Sequence, residues 1–433
     1  MGTLLTGGRL IDCTGAPPLP NAAVLVEGDR IADVGPRDQV AARAGSGHQV
    51  VDLRGGTLLP GLWDAHLHLG GVVPPWGAQH ANESETAHAC RCVQKAQENL
   101  LAGITSARTM NDRFNADLQV KAAIDSGQLV GPRLFVAGES LWTRTAAGPD
   151  EFRRKVRSAL RSGIDHLKIF ATSGIPYKTK VTTTLLAFDE VKAAVEEAHR
   201  WDRPVSVHAV GDEGVIMAAD AGADSVEHAF VVSEAGIEAM VRNNTTFSPQ
   251  LAVTAAWNER FMRAAGCFPE WMIVNAIAAG EVHHAMFAKA VKAGLKMVAG
   301  VDNLPRVPLF FGIERYEGKP AIVAELRFMI EGGLSPLQAL QAVTINPAQL
   351  SRVDDRLGTI EQGKLADLIV VEGDPLANVE ALHDLRLIMK GGTIVRSSLE
   401  GNPAPGFLPP VQLFEAPLAL AGDSMIAGSP RPI

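Results

Sequence analysis

Six side chains in this chain carry chemistry by type and position: His66, His68, Lys168, His208, His228 and Asp302. The first two lie in Gly61-Leu62-Trp63-Asp64-Ala65-His66-Leu67-His68-Leu69, which reads as a strand with histidines at i and i+2. Side chains alternate across a strand, so both imidazoles point the same way. Two neutral imidazoles on one side of a strand end are two metal ligands aimed at one point. Taken alone the pair is a weak signal, because polar residues on a solvated face are commoner. The later segments supply partners.

His208 ends Ser206-Val207-His208, His228 ends Val226-Glu227-His228, and Asp302 ends Ala299-Gly300-Val301-Asp302. Each closes an apolar, strand-like run. Four histidines and one aspartate form a nitrogen and oxygen donor set suited to zinc or a related divalent ion. Lys168, in Leu167-Lys168-Ile169-Phe170, stands apart because a protonated ammonium cannot ligate a cation. Either its stem packs between strands and its head meets a carboxylate, or a neutral amine adds carbon dioxide. The resulting carbamate is chemically a carboxylate and can bridge two ions about 3.5–4 Å apart.

Placing these groups together requires a particular architecture. Eight strand-like runs span 62–68, 104–108, 133–137, 166–171, 205–208, 225–228, 246–249 and 296–302. Most intervals carry amphipathic helical patterns, at 85–101, 152–162, 188–200, 214–221, 234–242 and 281–293. Strands alternating with helices imply a parallel sheet, and eight such units over roughly 250–300 residues imply an α/β fold of the (β/α)8 TIM-barrel type. In a barrel, C-terminal strand ends converge over one mouth. A further helix over 326–339 is interrupted at Gly332-Gly333 and restarted by Ser335 and Pro336. The barrel is expected over 59–353. Residues 1–58 and 354–400 have short apolar runs separated by turns, and are expected to form a small flanking β-sandwich domain built from both chain ends. Residues 401–433, rich in proline, read as an extended C-terminal tail that packs on the surface or on another subunit.

The 433 residues carry a formal charge of −8 and are 46% hydrophobic, which suits one large core with a smaller companion. Mild acidity gives no footprint for nucleic acid or anionic membrane. No apolar run is long enough for a transmembrane helix, and the first residues lack a signal-peptide pattern. Four cysteines, Cys13, Cys90, Cys92 and Cys267, are too few for a disulfide framework, so a reducing cytoplasm is the expectation. His88, Cys90 and Cys92 lie in a helical pattern where i, i+2 neighbours diverge, so they are expected to be structural. His283 and His284 are assigned to a surface or helix-packing role, and His166 to filling the barrel. Asp64 is equally a partner of a ligand or a polar residue of the interior.

Those motifs resemble the amidohydrolase superfamily, in its binuclear, prolidase-like and imidazolonepropionase-related branch. The resemblance rests on Pro60-Gly61-Leu62-Trp63-Asp64-Ala65-His66-Leu67-His68, Lys168, His208, His228 and Asp302. Outside the site it rests on Gly131-Pro132-Arg133, Thr344-Ile345-Asn346-Pro347-Ala348 and the segment from Gly358 to Leu368. It implies that His66, His68 and Asp302 hold one metal and His208 and His228 the other, with carbamylated Lys168 and a hydroxide bridging two zinc-like ions. Asp302 then acts as the proton shuttle, and Asp302 and Lys168 are the catalytic residues. The implied activity is hydrolysis of an amide-type C–N bond, not a peptide bond, in a small molecule such as an N-acyl amino acid, a cyclic amide or an aromatic amide. Alternatives that keep the site are a lactonase, carbamate esterase, phosphotriesterase or Xaa-dipeptidase. An inactive scaffold is disfavoured because all six positions are filled. The chain departs from prolidase-like relatives in lacking a Gly-Gly-His segment after the third strand and a tyrosine just after His228. Trp142, Arg144, Tyr177 and Arg306 are the expected substrate contacts, with Lys178 as a further cation near the mouth, and Phe310, Phe311 and Trp257 either wall an aromatic substrate or are ordinary packing. A homo-oligomer is the expected assembly.

Overall fold

The computed structural model describes residues 2–71, 83–255, 259, 262–263, 268–302 and 319–399. The N-terminal strands are β1 (Thr3–Leu10), β2 (Leu19–Glu27), β3 (Arg30–Pro36), β4 (Gln49–Asp52) and β5 (Thr57–Pro60). Next come seven strands of a second kind: β6 (Leu62–Leu67), β7 (Ile104–Thr109), β8 (Arg133–Phe135), β9 (Leu167–Phe170), β10 (Val205–Gly211), β11 (Ser225–Val231) and β12 (Thr246–Ser248). The C-terminal strands are β13 (Leu368–Val371), β14 (Leu385–Lys390) and β15 (Thr393–Ser397).

The terminal strands form one continuous eight-stranded sheet in the order β15-β14-β13-β5-β1-β2-β3, with β4 also on β1. The set divides at β1, whose first residues pair with β4 and last residues with β5, and β5 in turn pairs antiparallel with β13, which joins the two chain ends. Leu5, Val24, Val51, Leu58, Val370 and Leu387 pack its interior. A helix at Arg37–Ala44, where only strands were expected, covers the sheet through buried Val40.

The other strands pair only in parallel, as β6-β7-β8 and β12-β11-β10-β9. All seven residues of β10 are buried, as expected when both faces of a parallel sheet are covered. Single parallel bridges join Leu141 to Ile169, Phe247 to Met297 and Leu67 to Asp302. The eighth expected run, 296–302, is therefore a bridged segment and not a regular strand. Its hydrogen bonds are divided: Ala299 N–H donates to Ala342, Val298 N–H to Phe247, and Asp302 N–H to His66.

The helices follow local rules. Ser84 Oγ accepts from Ala87 N–H and caps Glu85–Leu101, whose buried His88, Cys92, Ala96, Asn99 and Leu100 recur at helical spacing. Pro149 starts Pro149–Ser162, and Gly163, in the left-handed region at φ 95°, ends it. Glu270–Lys292 starts well before the expected 281; its buried positions at Ile273, Ala276, Ala279, His283, Phe287 and Ala290 make one continuous stripe. The interrupted helix of the sequence reading is two helices, Ala321–Glu331 and Pro336–Ala342, the second opened by a Ser335–Gln338 capping box. Among the described residues no helix is long and apolar enough to cross a membrane. The tail 401–433 lies outside the described residues.

Candidate metal centre

The six residues singled out by sequence come from β6, β9, β10, β11 and the segment ending at Asp302, and they face one space. His66 is the fifth residue of β6 and His68 follows its end; their rings lie 5.4 Å apart. The His66 ring lies 4.8 Å from that of His228, and His228 lies 4.6 Å from His208. His68 Nε2 is 3.3 Å from Asp302 Oδ1. One ligand atom from each of His66, His228 and Asp302 falls within 4.8 Å of the others. Lys168 projects from β9 into the same space, fully buried, with Nζ 5.1 Å from the centre of the Phe170 ring.

Backbone conformation explains how β11 contributes. In the ladder His208 pairs with Glu227, and Ala209 with His228. Regular alternation would send Glu227 and His228 to opposite faces. His228 and Ala229 instead adopt φ of 77° and 44°, in the left-handed region that non-glycine residues avoid, and Asp302 does the same at 59°. Strain of this kind at strand ends is characteristic of functional sites.

The electrostatics favour a ligand set. Burial, then the Lys168 charge, holds His66 well below the ordinary imidazole range. Burial acts first on His68 and His228 as well, and pushes His208 down to about 3. All four imidazoles are therefore neutral at pH 7, with a lone pair to offer. His66 Nε2, His208 Nδ1, His228 Nδ1 and Lys168 Nζ are buried without a hydrogen-bond partner. Buried polar atoms are normally paired, so four bare nitrogens around one space fit a missing cationic partner. Burial also pushes the Lys168 amine down to about 8, against the opposing effect of Glu227 and Asp302. A donor set rich in nitrogen, with one carboxylate and no sulfur, suits zinc.

Neighbouring groups hold this arrangement. Asp64 Oδ1 accepts from the N–H of His66 and of Val301, so it ties the two ligand-bearing segments together and does not touch an imidazole. His208 Nε2 lies 2.9 Å from the Ser173 carbonyl and His68 Nδ1 3.1 Å from that of Asn111. Gln250 Oε1 accepts from His228 N–H, and Glu325 accepts from Leu251 and Ala252 N–H, fixing the loop after β12. Sequence reasoning missed Gln250 and Glu325, which have no motif, and Glu227, which the sequence shows only as the neighbour of His228.

The other histidines sort as follows. His166 is buried among the strands, and burial followed by the Arg108 charge holds it well below the usual range. His199 pairs with Asp224 at 2.7 Å. His283 is fully buried, 2.7 Å from Thr254 Oγ1 and 5.0 Å from the Phe230 ring, which in turn touches His228; it packs a helix one ring away from the site and is not a surface residue. His88 and Cys92, at i, i+4, do converge with Asp112, and the three form a second buried group of ligand type. There His88 Nε2 lies 2.6 Å from Asp112 Oδ1 and Nδ1 2.8 Å from Glu83, while Asp112 Oδ2 accepts from Gly70 N–H. Its donors are thus already used, in holding the loop that follows His68. Cys90 is exposed.

Of the expected substrate contacts, Trp142 and Tyr177 stand 6.3 Å apart and Arg144 lies 4.8 Å over the Trp142 ring. Trp142 also meets Phe170, whose ring is 4.8 Å from His208. The structure thus groups three of the four beside the ligands. Arg306, Trp257, Phe310 and Phe311 lie outside the described residues.

Known proteins share this organisation. The profile of the Amidohydrolase family matches residues 57–395, and an imidazolonepropionase-like composite domain of bacteria matches residues 22–44. The chain is 28% identical over 448 aligned positions to the ochratoxinase of Aspergillus niger, covering 91% of this chain and 86% of that protein. It is 24% identical to the imidazolonepropionase of Symbiobacterium thermophilum, over 85% and 90% of the two chains. Among solved structures it superposes on a Xaa-Pro dipeptidase with bound methionine at a TM-score of 0.81, with 28% identity over 91% and 99% of the two chains. With the family profile spanning all six converging residues, the chain belongs to the amidohydrolase family, in its imidazolonepropionase-related and prolidase-like branch.

Proposed function

We propose that this protein is a metal-dependent hydrolase that cleaves an amide-type carbon–nitrogen bond in a small molecule. In this reading β6 to β12 and the segment 296–302 close as a (β/α)8 barrel over residues 59–353, flanked by the domain of residues 1–58 and 354–400. His66, His68 and Asp302 would hold one divalent ion, zinc by its donor set, and His208 and His228 the other, with Lys168, as its carbamate, supplying a further anionic ligand. The observation that carries the reading is the convergence of bare nitrogens from neutral, buried imidazoles on Asp302.

Bound there, two divalent ions supply Lewis acidity, lowering the pKa of water towards neutrality and polarising a carbonyl. The chain's residues do the rest. Asp302, partly open to solvent and beside His68, takes the proton released as the nucleophile attacks and hands it to the leaving nitrogen. The barrel walls keep Lys168 out of water, so its amine has a neutral fraction near pH 8 that can add carbon dioxide. Trp142 and Tyr177 wall the substrate, and Arg144, stacked on Trp142, offers a cation to an anionic group. The similarity to the ochratoxinase and imidazolonepropionase supports C–N cleavage; the likeness to the Xaa-Pro dipeptidase supports a second reading in which the substrate is a dipeptide.

The test is metal analysis and a substrate panel on protein expressed with added zinc. Two equivalents of metal and turnover of amides above matched esters, lactones, phosphotriesters and dipeptides are expected. Fewer than one equivalent of metal, or turnover of esters alone, overturns the proposal.

A further inference from the structure

Below the ligands, a line of hydrogen bonds crosses the interior. Arg108 on β7 donates through Nη2 to Ser206 Oγ on β10, whose hydroxyl lies 3.0 Å from Ser225 Oγ on β11. Ser225 Oγ donates to Glu227 Oε1 at 2.6 Å, and Glu227 Oε2 accepts from His66 Nδ1 at 2.7 Å. All five residues are 0% exposed. A serine hydroxyl has one proton, so the Ser225 proton on the carboxylate leaves Ser206 to donate to Ser225 while accepting from the guanidinium. Every donor along the line is then assigned in one direction. Ser206 and His208, and likewise Ser225 and Glu227, are i, i+2 pairs, which is why strands that carry ligands also carry the relay.

His66 differs in this from its companions. His68 and His208 face neutral backbone carbonyls; among the described residues His66 is the one of these three whose second nitrogen meets a carboxylate. A carboxylate on Nδ1–H selects the tautomer that leaves Nε2 bare, and Nε2 is the atom without a partner. It also makes the imidazole a stronger donor. Arg108, with Nε and Nη1 otherwise unpartnered, supplies the balancing charge through two hydroxyls.

We propose that Glu227 is the positioning residue of His66, locking its orientation and tautomer for metal binding, with Arg108, Ser206 and Ser225 as its buried support. The proposal rests on the metal-centre reading above. It predicts a graded loss. Stripped wild-type protein, Glu227→Gln and Glu227→Ala are titrated with Zn2+ against a competing chelator, and with Co2+ to read the ligand-field spectrum. Glu227→Ala should lose about 10–100-fold in affinity for the ion held by His66, and its Co2+ spectrum should change. Glu227→Gln keeps an acceptor of the same shape but leaves the buried Arg108 charge unbalanced, so when stripped it should still fold, with a lowered melting temperature, and show a smaller loss of metal affinity. Excess metal should restore its kcat. Affinities and spectra of both variants matching a metal-binding wild type overturn the positioning role alone; a wild type that binds no metal overturns the metal centre with it.

Discussion

Replacing Lys168 by Met separates what this residue costs the fold from what it does for the site. The lysine is fully buried, its Nζ has no hydrogen-bond partner, and burial moves its pKa from 10.5 to about 8. Because the folded value lies below the unfolded one, the unfolded chain binds the proton more tightly. The cost is complete below about pH 8 and fades as pH rises towards 10.5. At about 1.4 kcal/mol per pH unit, the difference between 10.5 and about 8 amounts to roughly 3 kcal/mol. Methionine fills the volume of the stem and carries no charge. Stripped of metal and kept free of carbon dioxide at pH 7, Lys168→Met should therefore be more stable than equally stripped wild type by up to about 3 kcal/mol. With roughly 2.1 cal/mol/K of unfolding entropy per residue, that is a rise in Tm of about 3 °C for this chain of 433 residues. The gap should shrink at pH 9.5. The same variant should bind one equivalent of zinc fewer and lose most activity. Calorimetry at the two pH values, with elemental analysis of the loaded protein, tests both parts. A stripped variant that melts at or below wild type at pH 7 refutes the burial argument, and wild-type metal content refutes the carbamate.

Two further outcomes follow from the packing around the site. Gly300→Ala would place a Cβ 2.6 Å from His66 N and Cβ, so it should cost about 1–3 kcal/mol by overpacking and lower metal content; unchanged melting and zinc stoichiometry would count against the close contact. Glu325 is pushed up to about 8 by burial, so between about pH 4.5 and 8 the folded state keeps a proton that the unfolded chain releases, and stability falls as pH rises through that window. Glu325→Gln should flatten this decline, and equal slopes of Tm against pH for variant and wild type would refute it.

Much of the candidate site was legible because it depends on local rules. The i, i+2 spacing of His66 and His68 needs only strand alternation, and His208, His228 and Asp302 each end an apolar run. Seven of the eight runs became strands of the expected kind. The eighth, ending in Asp302, is joined to β12 and to β6 by single bridges, with Ala299 N–H diverted to Ala342 between them. For His283 the helix-packing alternative holds, with a neighbour its sequence position does not reveal. Helix periodicity shows that a residue is on a buried stripe but not which ring it will meet, and here that ring is Phe230, beside His228.

The amino-acid sequence by itself determined the donor types, their strand-end positions and the alternation of elements that brings them to one face. Those are properties of short segments. Tertiary structure alone decided that Glu227 turns inward behind His66, that positive φ swings His228 back to join it, and that Arg108, two serines and Glu227 line up across three strands. Such contacts join residues up to 161 positions apart, and their geometry follows from register and strand-end strain. The opening pair of histidines thus gains a distinction invisible in its spacing: one is held by a neutral carbonyl and the other by a buried carboxylate.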